Sequence, residues 1–188
     1  MNQKSERKFY LQHFRAISHA ISTYEDLNVL TSHLAEGTSR RFKAKGCSIM
    51  LLDERDNKLY HVSSHGISEE YLNKGPIMME DKDCAICKGE PVFVEDMQND
   101  ARVQYPEAAA KEGIVSMLSI PVKCREAIIG VIRIYHGVTR RIHDEVIESL
   151  CVMSEHLGLV IENNGLKNFL DGVKAAMESL PPRMLKDL

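Results

Sequence analysis

Apolar positions repeat with helical spacing near the N-terminus of the chain. The first stripe predicts a helix over residues 5–22, and it consists of Tyr10, Phe14, Ile17 and Ile21. A second helix is predicted to begin at a capping box, in which Ser22 is followed three residues later by Glu25. Gly46 is the expected end of that helix, because glycine is favoured just beyond a helix C-terminus.

A longer apolar repeat predicts a helix that begins near His143 and runs toward the C-terminus. Its first part has the spacing of a heptad seam and consists of Val146, Leu150, Met153, Leu157 and Val160. The residues Asn163–Gly165 interrupt this seam, and a second stripe begins at Leu166 and ends before Pro181-Pro182. The pattern therefore predicts a helix that either rotates its apolar face at the interruption or turns back there.

Between the terminal helices the apolar period changes to that of β-strands. Two hairpins are predicted, with strands at residues 47–52 and 59–63 and at residues 116–122 and 128–135. The irregular segment between the hairpins, residues 76–113, carries a short strand and small helices. This order predicts an α+β fold, in which an antiparallel sheet of about five to six strands has N- and C-terminal helices on one face and an α/β cap on the other.

Charge and composition narrow the classes of function. The chain has 24 basic and 27 acidic residues and a net charge of −3, so it lacks the basic surface that nucleic-acid binding requires. The polar start Met1–Lys8 is unlike a signal peptide, and the apolar runs are far shorter than the ~18 residues of a membrane helix. These features predict a cytoplasmic protein whose five cysteines are reduced.

Four segments, in a consistent order, carry a resemblance to a known family. Residues 113–122 read GIVSMLSIPV and residues 129–132 read IGVI, which resembles the "GI-S-L--P" and "IGV" strands of GAF domains. Residues 94–102 resemble the "V-D-…-DPR" loop of that family, and residues 145–163 resemble its final helix. The resemblance implies a GAF-like fold, related to that of PAS domains.

The resemblance also implies an organisation and a function. A GAF domain over residues 23–164 would follow an N-terminal helix over residues 1–22 and precede a helical extension over residues 165–188. Such a domain is a signal-transduction sensor that binds a small molecule and transmits its state through the terminal helices. We expect these helices to form a homodimer, with no nucleic-acid or membrane partner, no metal and no catalysis.

A ligand of GAF domains usually lies between the sheet and the irregular segment, here residues 76–113. The candidate ligand-binding residues implied by this resemblance are Met50, His61, Cys84, Cys87, Phe93, Arg102, Tyr105, Met117, Ser119 and Tyr135. Arg102 has two candidate partners, namely an anionic group of the ligand or a carboxylate of Asp96 or Asp100.

The motif Cys84-Ala85-Ile86-Cys87 leaves a second function open. Two cysteines at this spacing supply half of a zinc site or form a redox disulfide. The sequence offers no second pair, so only His61, His65 or Cys124 could complete a zinc site in three dimensions. A redox- or metal-responsive switch and a non-binding dimerisation scaffold therefore remain alternatives to the ligand sensor.

The sequence lacks the residues that several specialised activities of GAF domains require. Residues 106–110 read PEAAA, where GAF-type reductases of free methionine sulfoxide carry a cysteine. The "NKFDE" set of cyclic-nucleotide binders is missing, and neither Cys84 nor Cys87 is followed by the histidine that is usual at bilin attachment sites. The sequence therefore predicts a non-catalytic domain and names no cofactor.

Overall fold

The computed structural model describes residues 26–78, 84–140 and 142–178, with the backbone alone at residues 176–178. The predicted helix over residues 1–22, the Ser22–Glu25 capping box and the Pro181-Pro182 stop lie outside the described residues. The elements in chain order are α1 (Leu27–Arg41), β1 (Gly46–Asp53), β2 (Lys58–His65), α2 (Glu69–Leu72), β3 (Ile77–Met78), α3 (Ala85–Lys88), β4 (Val92–Val94), α4 (Pro106–Glu112), β5 (Ser116–Cys124), β6 (Ala127–His136) and α5 (Asp144–Glu178).

The strands form one antiparallel sheet in the order β3-β2-β1-β6-β5-β4. Strand β6 lies between β1 and β5, as its β-branched sequence predicts. Helices α1 and α5 contact the sheet, α1 at β1 and β2 and α5 mainly at β5. The predicted α+β fold with a six-stranded antiparallel sheet is therefore confirmed.

The two faces of the sheet follow from the alternation of side chains along each strand. On β5 the buried residues Leu118, Ile120 and Val122 point to the helices, where they pack with Leu150 and Leu157 of α5. Each leucine buried in this way contributes about 1.5–3 kcal/mol of transfer free energy. This part of the predicted heptad seam thus faces the sheet of its own chain.

On the opposite face, a second set of side chains packs under the irregular segment. One group of buried residues gathers around Met50, Leu59 and Val131, and another around Tyr71 and Tyr135. The small helices α2, α3 and α4 and the strand β4 complete this cap. The predicted α/β cap therefore lies on the face opposite α1 and α5.

Local signals account for the short elements of the cap. The Ser68 side chain accepts a hydrogen bond from the Tyr71 amide and begins α2. Pro106 occupies the first turn of α4, and Gly113 ends this helix with a left-handed backbone, at φ 72°. Gly89 ends α3 in the same way, at φ 68°. The sequence predicts each of these boundaries.

Both predicted boundaries of α1 are wrong, and one of the two alternatives for α5 is excluded. Helix α1 ends at Arg41, and Gly46, its expected end, is instead the first residue of β1. Helix α1 begins at Leu27, because the Asp26 side chain caps it by accepting a hydrogen bond from the Asn28 amide at 2.8 Å. Helix α5 passes through Asn163–Gly165 without a break, which excludes the alternative that the helix turns back there. A glycine inside a helix costs about 1 kcal/mol but does not stop it, and the packing of the first half of α5 outweighs this cost. None of the helices described here is both long and apolar enough to cross a membrane.

Candidate functional site

A cavity lies between the sheet and the cap, and we call it the central cavity. Its volume is about 60 Å³. A buried water needs about 10–15 Å³ of such space, so the cavity accommodates a few waters or a ligand of few heavy atoms. The described residues that line it are Leu59, Tyr71, Lys74, Ile77, Met78, Cys84, Ala85, Ile86, Val92, Val94, Met97, Arg102, Val103, Gln104, Tyr105, Met117, Ser119, Val131 and Arg133.

The floor of the central cavity is formed by β5 and β6. Ser119 on β5 is paired directly with Arg133 on β6, so both side chains leave the same face of the sheet. Met117 and Val131 flank them at the alternate positions of the two strands. The Nε atom of Arg133 is buried and has no hydrogen-bond partner among the described residues. An unpaired buried donor of this kind is rare, since its desolvation is uncompensated.

Lys74 brings a second positive charge to the central cavity. Its Nζ atom donates to the carbonyl oxygen of Tyr71 at 2.9 Å and lies 3.8 Å from the centre of the Tyr71 ring. Burial and then the repulsion of Arg133 lower the pKa of Lys74 to about 8, while Glu112 opposes this change. The charge of Lys74 lowers the pKa of His61 in turn, after the larger effect of burial.

Two tyrosines connect the cap to the sheet beside the central cavity. The rings of Tyr71 and Tyr135 meet edge to face, with centroids 5.7 Å apart. The Tyr135 hydroxyl shares a hydrogen bond with the Ser48 hydroxyl at 3.0 Å. Burial raises the pKa of both tyrosines, and the positive charge of Arg133 opposes the rise. Both side chains are therefore neutral structural groups at physiological pH.

Arg102 also lines the central cavity, but its charge is paired within the chain. Its Nε atom donates to Asp100 Oδ1 at 2.8 Å, and Nη2 forms a second bond to Asp100 Oδ2. This pair lowers the pKa of Asp100 below its ordinary value. Nη2 is also within 3.4 Å of the carbonyl oxygen of Phe93. Of the two candidate partners of Arg102, the structure shows Asp100.

Hydrogen bonds join two cap segments that form one wall of the central cavity. The Tyr105 hydroxyl donates to the Pro76 carbonyl at 2.7 Å. Gln104 Nε2 donates to the Met78 carbonyl at 2.6 Å, and the Met78 amide donates to Gln104 Oε1 at 3.1 Å. A surface groove of about 610 Å³ begins beyond this wall and shares Tyr71, Lys74, Gln104 and Tyr105 with the central cavity.

The two cysteines of the C-x-x-C motif are in contact. Their sulfur atoms are 3.0 Å apart, and the Cys87 amide donates to Cys84 Sγ at 3.3 Å. Cys84 lines the central cavity, whereas Cys87 is exposed on α3. Within the part of the chain that the structure describes, no three side chains of the metal-binding types come together.

Of the ten candidate residues, half line the central cavity and half lie elsewhere. The five that line it are Cys84, Arg102, Tyr105, Met117 and Ser119. Met50 is buried in the core of the cap face, and Tyr135 is buried beneath Tyr71. His61 is exposed on β2, Cys87 is exposed, and Phe93 packs toward the helices instead of the cap.

Sequence reasoning missed Lys74, Tyr71 and Arg133 of the lining. For Arg133 a signal was present, because residues of β6 that alternate with the apolar Ile132 and Ile134 must face the cap. For Lys74 there was none, since it lies in an irregular turn after α2 whose position depends on cap packing.

Comparisons with known proteins agree with this architecture. The family model described as GAF domain matches residues 26–161. The GAF domain of an Acinetobacter phosphoenolpyruvate-protein phosphotransferase is similar with a TM-score of 0.72 and 20% identity, over 85% of this chain and 97% of that chain. The free methionine-R-sulfoxide reductase of Neisseria meningitidis in complex with its substrate is similar with a TM-score of 0.69 and 17% identity, over 84% of this chain and 91% of that chain. The phycocyanobilin-bound GAF domain of a cyanobacterial phytochrome is similar with a TM-score of 0.65 and 14% identity, over 89% of this chain and 97% of that chain. No curated protein matches the chain.

Proposed function

The chain belongs to the GAF domain family, and on that premise we propose that it is a cytoplasmic, non-catalytic sensor for a small molecule bound in the central cavity. The observation that carries this proposal is the central cavity itself, a partly enclosed space with an apolar wall and the unpartnered Arg133 Nε in its floor. Enclosed, partly apolar spaces with a few converging polar groups are the usual sites of small ligands.

Two structural neighbours support a site for a small molecule. The Neisseria reductase holds its substrate, and the cyanobacterial phytochrome domain holds phycocyanobilin. A volume of about 60 Å³ argues against a ligand as large as a bilin in this chain. The sequence PEAAAKE of α4 contains no cysteine to act as a reductase nucleophile, which supports a sensor without catalysis.

Strand β5 provides a route from the central cavity to α5. Its residues Met117 and Ser119 line the cavity, and Leu118 between them packs with the core on the helix side. Farther along β5, the carbonyl of Pro121 accepts a hydrogen bond from the buried Ser154 hydroxyl of α5 at 2.7 Å. A ligand that displaces the floor would therefore displace the base of α5, which in turn would carry the signal.

The outer face of α5 supports a homodimer. Val152, Leu159, Leu166 and Val173 recur every seven residues and are exposed, Leu159 by 52% and Leu166 by 54%. This spacing is that of one coiled-coil position, and an exposed apolar stripe along a helix is typical of a protein interface. We therefore propose that α5 pairs with the same helix of a second copy.

Sedimentation velocity tests the dimer. The L159E/L166E variant places charges in the stripe and should sediment as a monomer, whereas wild type should be a dimer at micromolar concentration. Lys167 is exposed beside the stripe, so K167E is the matched control and should remain dimeric. A monomeric wild type, or a dimeric L159E/L166E variant, would contradict the pairing.

Native mass spectrometry and thermal shift with a metabolite library test ligand binding, since a bound ligand raises apparent stability. The S119L variant fills the floor of the central cavity and should lose the response. A127L adds the same kind of side chain at an exposed position and should keep it. If no compound binds wild type, or if S119L binds as wild type does, the sensor proposal fails and the dimerisation scaffold replaces it.

The contact between Cys84 and Cys87 favours a second candidate function, a dithiol switch. Both thiols would give up a proton, and an oxidant of the glutathione-disulfide class would accept the electron pair as the sulfur–sulfur bond forms. Because Cys84 lines the central cavity, this bond would alter its wall. A loss of two hydrogen masses in glutathione redox buffers, absent from C84S, would support the switch, and unchanged mass at every buffer ratio would exclude it.

A further inference from the structure

The charged groups of the central cavity are unbalanced among the described residues, and this observation bears on the class of ligand. Lys74, Arg102 and Arg133 line the cavity, and no carboxylate does so within the described part of the lining. Arg102 is neutralised by its bidentate pairing with Asp100. Lys74 and Arg133 are left as two positive charges that face the same small space.

Among the described residues, the acid that raises the pKa of Lys74 is engaged elsewhere. Glu112 influences Lys74 at long range, but its two carboxylate oxygens accept hydrogen bonds from the Ser68 amide, at 3.1 Å, and from the Ser68 hydroxyl. Burial lowers the pKa of Lys74 most, and the positive charge of Arg133 lowers it further. The like charges of Lys74 and Arg133 and the unpaired buried Nε of Arg133 all cost free energy. An anion between the two side chains would remove this cost.

One wall of the central cavity is apolar and restricts what the anion can be attached to. Leu59, Ile77, Ile86 and Val92 form the cavity wall that lies away from the helices, together with Val131 of the floor. These side chains offer no hydrogen bonds to a second polar group. A free inorganic ion would leave this wall without a partner, whereas a short hydrocarbon group would fill it.

We propose that the central cavity binds a small organic monocarboxylate, an inference that rests on the proposed function. The carboxylate pairs with Arg133 and Lys74, and the short hydrocarbon group contacts Ile77 and Val92. A guanidinium matches the planar geometry of a carboxylate, and a lysine adds a point charge at its side. The volume of about 60 Å³ limits the hydrocarbon to a few carbon atoms.

Titrations of the full chain followed by amide and methyl NMR test this assignment. The probes are acetate, propionate, butyrate and hexanoate, with propionamide as the neutral isostere and inorganic phosphate as the ion without a hydrocarbon. We expect propionate or butyrate to bind at least about tenfold more tightly than propionamide and phosphate. Hexanoate should bind more weakly than butyrate because its chain exceeds the space.

Variants separate a lost charge from a lost fold. R133Q should weaken propionate binding by about 10- to 100-fold, as expected for the loss of a charged hydrogen bond. R133K should recover part of that loss, because it restores the charge. Arg55 is exposed on the turn between β1 and β2, so R55Q removes the same charge elsewhere and should bind propionate as wild type does. The amide spectrum of each variant verifies that it is folded.

Several outcomes would overturn the assignment. Equal binding of propionate and propionamide, unchanged binding in R133Q, or a preference for phosphate would each contradict it. The sequence between Met78 and Cys84 contains Glu80, Asp81 and Asp83, and propionate binding that emerges only in E80Q/D81N/D83N would show that the protein supplies its own anion. A neutral compound captured in the metabolite screen, without a carboxylate response, would overturn the ligand class but leave the sensor function intact. Capture of no compound would remove both.

Discussion

Helix α5 packs tightly against the end of β5 at Gly158, and this contact predicts the effect of adding one methyl group. A Cβ atom at this position would lie 1.9 Å from the carbonyl oxygen of Lys123 and 2.7 Å from its carbonyl carbon. Both atoms belong to the backbone at the end of β5, so no side chain can turn away. The helix itself would have to move, although the buried Leu157 and the Ser154 hydrogen bond hold it in place.

The same substitution farther along the helix provides the contrast. At Gly165 a Cβ atom would meet no other atom within 4 Å. G165A should therefore stabilise the protein by about 0.5–1 kcal/mol, the usual difference in helix propensity between glycine and alanine. G158A gains the same propensity but overpacks the interface, which costs about 1–3 kcal/mol and sometimes more. Because the required shift exceeds a typical rearrangement, we expect a net loss of about 1–3 kcal/mol.

Urea unfolding followed by circular dichroism, at one protein concentration, measures both changes. For a chain of this length each kcal/mol corresponds to about 2–4 °C in melting temperature, so thermal scans provide a second measure. G158A should lower the urea midpoint and the melting temperature, and G165A should raise both. A G158A variant as stable as wild type would refute the close packing of α5 on the end of β5.

Three further predictions concern the cap. The affinity for propionate should fall as the pH rises through about 8, by at most about tenfold per pH unit, because the lowered pKa of Lys74, about 8, means that half of its charge is lost at that pH and the rest above it. This dependence should vanish in K74M; NMR titration of both proteins from pH 6 to 10 would show the difference, and equal pH profiles would contradict it. Y135F should destabilise the protein by about 1–2 kcal/mol, since the Ser48 hydroxyl loses its buried partner. In a double-mutant cycle, a smaller loss of stability in S48A/Y135F than the sum of the two single losses would confirm the pairing. R102A should lower the free energy of unfolding by about 1–2 kcal/mol at neutral pH. This difference from wild type should shrink as the pH falls through the lowered pKa of Asp100, because its carboxyl group then becomes neutral. A difference that persists in acid would show that Arg102 acts through packing alone.

The sheet and most cap helices could be predicted because their signals are local. Alternation along residues 116–122 and the turn chemistry of Pro106 and Gly113 depend only on neighbours in sequence. The role of the α5 seam could not be predicted. Leu150 and Leu157 have heptad spacing and face the sheet, whereas a parallel stripe with the same period is exposed. Which stripe meets the sheet depends on tertiary packing that spacing does not encode.

The site was predicted in part for a related reason. Met117 and Ser119 could be identified as cavity residues because the strand pattern and the family resemblance agree on the face of β5. Alternation with Ile132 and Ile134 indicates the face on which Arg133 lies, but its place directly opposite Ser119 is a matter of strand register, which depends on the whole sheet. Lys74 reaches the cavity only through the way that the turn after α2 packs against Tyr71.

Strand β5 has a consequence for how proteins of this design can diversify. Met117 and Ser119 line the central cavity, while Leu118 and Ile120, at the alternate positions, pack on the helix side. Under the proposed function, substitutions that alter ligand preference and substitutions that alter the contact with α5 would therefore fall on different residues of one strand. A related domain could then acquire a different ligand and keep its helix contacts, through substitutions at alternate positions of β5.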